Sequence, residues 1–89
     1  MVPRNKNLSY WFDESTTSCK VQLDFPAQKD RDLLERYFTT RDWLLSGEGV
    51  NLIKKSKILI FAKKSTTEKE IDNLLSHFQT EGFNTTEAS

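Results

Sequence analysis

Cys19-Lys20-Val21-Gln22-Leu23-Asp24-Phe25 is the stretch whose reading decides the fold. Val21, Leu23 and Phe25 fall on one side of an extended chain, and Lys20, Gln22 and Asp24 on the other. That period of two marks a strand with one buried and one wet face. Pro26 follows and ends it, because proline brings no N–H to a ladder. A sheet wet on one face is typically antiparallel and packs its other face on the core.

Outward toward the N-terminus, Leu8-Ser9-Tyr10-Trp11-Phe12-Asp13 is rich in aromatics and predicts a second short strand. The polar segment Glu14-Ser15-Thr16-Thr17-Ser18 between them has the length of a hairpin connection. Toward the C-terminus, Leu33, Leu34, Tyr37 and Phe38 form a helical stripe within residues 29–42. Asp30 and Asp32 stand near its start, where acids suit the helix dipole, and Thr39-Thr40 weakens its end. Gly47-Glu48-Gly49 reads as a turn. Val50–Ile53 and Ile58–Ala62 read as a second hairpin, joined through Lys54-Lys55-Ser56-Lys57.

Ile71, Leu74, Leu75 and Phe78 make one apolar face of a last helix. Ser65-x-x-Glu68 and Thr67-x-x-Glu70 both fit a capping box, and Gly82-Phe83 fits a helix stop. The order is ββαββα. It predicts a two-layer α+β domain over residues 8–84: a mainly antiparallel four-stranded sheet with two helices on one face. Residues 1–7 and 85–89 are expected to fray, and no internal repeat or low-complexity block is legible. At 89 residues there is room for one domain, with a net stability of about 4–13 kcal/mol.

Thirteen Lys and Arg balance thirteen Asp and Glu, which excludes a polycation coating nucleic acid and an acidic mimic of it. The balance is uneven along the chain. Residues 50–64 hold Lys54, Lys55, Lys57, Lys63 and Lys64 and no acid. Residues 65–89 hold Lys69 against Glu68, Glu70, Asp72, Glu81 and Glu87, a net −4. The lysine hairpin, with Arg41 and Trp43 as auxiliary contacts, is therefore a candidate nucleic-acid surface.

Catalysis finds little support. His77 is the single histidine and is expected near the solvent side of its helix, away from any nucleophile. Cys19 is the single cysteine; it is expected on the polar phase of its strand and cannot form an internal disulfide or a zinc site. No glycine-rich phosphate cradle is present, since Gly47-x-Gly49 opens no helix. No catalytic residue, cofactor, metal or small-molecule substrate is expected. The longest apolar run, Ile58–Ala62, is far shorter than a membrane helix needs, and no apolar run follows the first residues. A cytoplasmic, non-membrane setting is expected.

Lys57-Ile58-Leu59-Ile60-Phe61-Ala62 breaks the alternation seen at 19–25, because both of its faces are apolar. Two helices cover one face, so the other needs a cover. Loop 39–49, with Trp43, Leu44 and Leu45, is one candidate, and a protein partner or second copy is the other. Trp11, Trp43, Leu59 and Phe61 are the expected docking residues of a small non-catalytic interaction or regulatory module. Aliphatic and aromatic groups flanked by lysine on a central strand superficially resemble an RNA-recognition motif. Lys57–Phe61 lacks that family's glycine and paired aromatics, and the chain opens with an extra hairpin, so no family is assigned.

Overall fold

In the computed structural model, which describes residues 6–88, seven elements build one sheet and one helical layer. Strand β1 (Asn7–Asp13) turns into β2 (Ser18–Phe25), then helix α1 (Asp30–Thr39) leads to β3 (Leu44–Asn51) and β4 (Ser56–Lys63). Helix α2 (Glu68–Thr80) is followed by a short β5 (Asn84–Glu87). The sheet order is β3-β4-β2-β1-β5, with antiparallel pairs except for β1 and β5, which run parallel. The α+β class and the two helices agree with the sequence. The sheet has five strands and is mixed, where four mainly antiparallel strands were expected.

The fifth strand lies in a segment expected to fray. Thr85, Thr86 and Glu87 pair with Leu8, Ser9 and Tyr10. Four polar residues carry no period to read, and what holds them is the β1 edge itself. Asn7 likewise belongs to β1, whereas the fraying expected of residues 1–5 falls outside the described residues. Gly47-Glu48-Gly49 is not a turn but the middle of β3. The turn is Leu52–Lys55, placed by the Asn51 side chain, whose Oδ1 accepts from the Ile53 and Lys54 N–H groups at 3.1 Å. A β-bulge between Leu45 and Gly47 keeps residues 44–51 of β3 in register with residues 56–62 of β4, one residue fewer.

One face of the sheet forms the core. Leu8, Val21, Leu23, Phe25, Leu59 and Phe61 pack there against Leu34 and Phe38 of α1 and Ile71, Leu74 and Phe78 of α2. Cys19 shares the parity of Val21 and is buried with it, so its expected place on the polar side is corrected. Of the α1 stripe, Leu34 and Phe38 are buried, Tyr37 is half-buried, and Leu33 faces solvent. Thr67 is the cap of α2: its Oγ1 accepts from the Glu70 N–H at 3.1 Å. Glu70 turns its own carboxylate to Lys63.

The structure also reveals an internal repeat of two ββα units. Asp13 and Asn51 each accept from the N–H two residues on, at 3.0 and 3.1 Å. Thr17 and Lys55, 38 positions apart, end those turns with the same left-handed φ of 53°. Each helix then closes alike. The Trp43 N–H donates to the Phe38 carbonyl, and the Phe83 N–H to the Phe78 carbonyl, both at 2.9 Å. The preceding residues, Asp42 and Gly82, have φ of 67° and 91°. Trp43 meets Phe38 edge-on at 5.4 Å, and Phe83 meets Phe78 edge-on at 5.2 Å. Phe38 and Phe78 stack on each other at 5.5 Å where the two units join. The two units correspond in spacing and backbone turns and differ in most side chains, so the repetition is not legible in the sequence.

Candidate functional site

The sheet face that carries no helix is the candidate docking surface. Its composition follows from register. Trp11 of β1 pairs with Lys20 of β2, Lys20 with Ala62 of β4, and Ala62 with Leu44 of β3. The next row in phase is Ser9, Gln22, Ile60 and Gly47, and the one after it contains Asn7, Asp24, Ile58 and Gly49. Ile58, Ile60 and Ala62 therefore lie on the open face, half-buried by their neighbours. Leu59 and Phe61 lie on the other face, 1% and 0% exposed.

That placement corrects part of the expected site. Leu59, Phe61 and Trp43 are core residues and reach no partner while the domain is folded. Trp43 sits beneath α1 against Phe38, held by the Schellman-type closure of the helix. Trp11 alone of the four stays on the open face. Loop 39–49 does not cover that face either, because most of it has become β3 at the sheet edge, with Leu44 74% exposed. The other apolar phase of β4, Ile58, Ile60 and Ala62, occupies the open face instead, with Leu44 beside it. The signal was available: Ile58, Ile60 and Ala62 share one phase, and β2 supplies Lys20, Gln22 and Asp24 as its wet face.

Lys20 places its Nζ 4.7 Å from the centre of the Trp11 ring, a cation–π contact across the β1–β2 pair. An open groove of about 1100 Å³ runs beside this row, lined among others by Trp11, Lys20, Leu44, Ala62 and Lys64. Farther along the face, Asp24 Oδ1 is buried without a hydrogen-bond partner.

The basic residues do not gather into one patch. Lys54 and Lys55 stand at the β3–β4 turn, and Lys63 and Lys64 at the far end of the eight-residue β4, about 25 Å away. Lys57 is half-buried at the Phe25 end of β4. Lys63 is engaged by Glu70. Arg41 lies 3.8 Å from the Tyr37 ring centre and donates to the Tyr37 carbonyl at 3.1 Å.

His77 also stacks on the Tyr37 ring, at 4.4 Å. Burial pushes the Tyr37 hydroxyl above its ordinary pKa, with Arg41 pulling the other way. Burial raises the Cys19 thiol to about 11, which leaves it protonated and poorly nucleophilic near neutrality. Among the described residues no group of three or more His, Cys, Asp and Glu side chains is arranged to hold a metal. No helix among them is long and apolar enough to cross a membrane. No family model, curated protein or solved structure matches the chain.

Proposed function

We propose that the domain is a non-catalytic protein-interaction module that docks a partner protein on its open sheet face. The observation that carries this reading is the cross-strand row Trp11–Lys20–Ala62–Leu44 with Ile60 and Ile58 beside it, on the face without helices. A large aromatic ring on a rigid strand is the kind of anchor that supplies most interface energy once desolvated. Lys20, between Trp11 and Ala62 in that row, sets one cation over the ring. The sheet presents these side chains on paired strands, so binding there needs no ordering of the backbone.

Photo-crosslinking tests this directly. A crosslinker placed at Ile60 should capture a discrete protein from cell extract, and Trp11→Ala should abolish capture. One placed at Asp72, on the solvent side of α2, should give none. Equal labelling from both positions would sink the proposal. The captured complex should resist added salt, because apolar contacts respond weakly to ionic strength.

Exposed Lys54 and Lys55 on the β3–β4 turn favour one second reading, a nucleic-acid contact through that turn. It requires the protein to shift DNA or RNA at low salt. Reversing the exposed Lys54 and Lys55 to Glu should then abolish the shift while leaving the fold intact.

A further inference from the structure

The two outer edges of the sheet are treated differently. The internal repeat makes β1 and β3 equivalent, each the outer strand of a hairpin. The β1 edge is covered by β5. The β3 edge pairs only inward, with β4. Among the described residues no segment lies along it. Residues 6 and 88, the limits of the described chain, both lie beside β1 or β5, at the opposite side of the sheet.

Natural edges are blunted by lysine, proline, short strands or bulges. β3 is eight residues long, Leu44-Leu45-Ser46-Gly47-Glu48-Gly49-Val50-Asn51, with neither lysine nor proline. Its bulge lies at Leu45/Gly47, which leaves 47–51 regular. Its one charge, Glu48, is neutralised from within the molecule by Arg31, whose Nη2 donates to Oε2 at 2.9 Å. Gly49 puts no side chain on the open face beside this edge, where a Cβ would meet nothing within 4 Å.

Apolar exposure is concentrated on the same edge. Among the described residues, the exposed large apolar side chains are Leu33 and then Leu44, Leu45, Val50, Leu52 and Ile53, all five of the latter on β3 or its turn. Leu52 is 84% and Ile53 95% exposed.

We infer that β3 pairs antiparallel with β3 of a second copy of this chain, joining two five-stranded sheets into one of ten. The occupant follows from self-complementarity. The exposed apolar side chains lie toward both ends of β3 and in its turn, so an antiparallel copy brings Leu45 of each chain toward Ile53 of the other. A two-fold axis at Gly49 sets Gly49 against its copy and Glu48 against the other chain's Val50, which keeps the two carboxylates apart. With no net formal charge on either copy, nothing repels them as a whole. This contact uses the sheet edge and does not depend on a partner docking on the open face.

Sedimentation equilibrium of the whole chain across a concentration series tests it, beside hydrogen exchange of the β3 amides. The mass should rise from 10.4 kDa toward twice that value. Protection of β3 amides should rise in step with concentration. The double variant Leu45→Lys/Val50→Lys should remain at the monomer mass with an unchanged circular dichroism spectrum. Leu33→Lys, which adds charge at an exposed apolar position on α1, should still dimerise, and so should Trp11→Ala. A wild-type mass fixed at 10.4 kDa up to about 1 mM would overturn the inference. So would a dimer that loses mass on Trp11→Ala, because the open face would then be the contact. Should the lysine double variant fail to fold, the concentration dependence of β3 protection in the wild type decides alone.

Discussion

Ile60 and Phe61 are adjacent residues with opposite fates. Phe61 stacks on Phe38 at 4.4 Å in the core, while Ile60 lies on the open face beside Gln22 and Gly47. Phe61→Glu should unfold the domain, since an unpaired buried carboxylate costs several kcal/mol out of about 4–13. Ile60→Glu should stay folded and cost under about 1 kcal/mol. Thermal melts of the pair check this; matching melting temperatures would overturn the assignment, and an unfolded Ile60→Glu beside a folded Phe61→Glu would show that the faces are the wrong way round. Cys19 gives a second residue-scale test. Its thiol is held near 11 in the folded protein against about 8.5 in an open chain. The folded state therefore keeps the proton longer. Stability from this group is intact below about pH 8.5 and declines as pH rises toward 11. Cys19→Ala should flatten that part of the curve of melting temperature against pH, and an unaltered slope would mean the thiol is not what titrates.

At the scale of elements, the repeat turns two helix ends into a matched experiment. Gly82 takes its left-handed φ without strain, whereas Asp42 holds nearly the same angle with a Cβ. Gly82→Ala should cost about 1 kcal/mol. Asp42→Gly should cost nothing, or stabilise by up to about 1 kcal/mol, as denaturant melts would show. Two variants that shift stability in the same direction would break the equivalence of the helix ends. Much at this scale could be read from the chain. The 19–25 alternation gave β2, the Ile71–Phe78 stripe gave α2, and Gly82-Phe83 gave its end. The β3 boundaries could not, because Gly47 and Gly49 look like a turn unless β4 is known to lie alongside. Leu59 and Ile60 were seen to face opposite ways, yet choosing the covered face required the register with Val21 and Leu23. β5 was unreadable for a similar reason: its partner specifies it, and its own residues do not.

At the scale of the whole molecule, the sheet joins its two repeats through β2 and β4 and seals one flank with β5. Ending the chain after Phe83 should uncover the β1 edge while sparing the aromatic core. The expected outcome is a lower melting temperature with rising light scattering, because the molecule would then present two bare edges. A truncated chain as stable and as monodisperse as the full one would show that β5 adds nothing to the sheet.

The parallel β1–β5 pair also fixes how the molecule answers tension. The Lys6 carbonyl accepts from the Asn84 N–H at 2.9 Å, and the Tyr10 carbonyl from the Ala88 N–H at 2.8 Å. The chain enters β1 at one end of this ladder and leaves β5 at the other. A pull on the two termini therefore slides one strand along its neighbour and strains every rung at once. Handles at Asn7 and Asp24, which face each other across β1 and β2, would open their ladder like a zip, one rung at a time. The same sheet should resist stretching firmly along the first direction and yield at low force along the second.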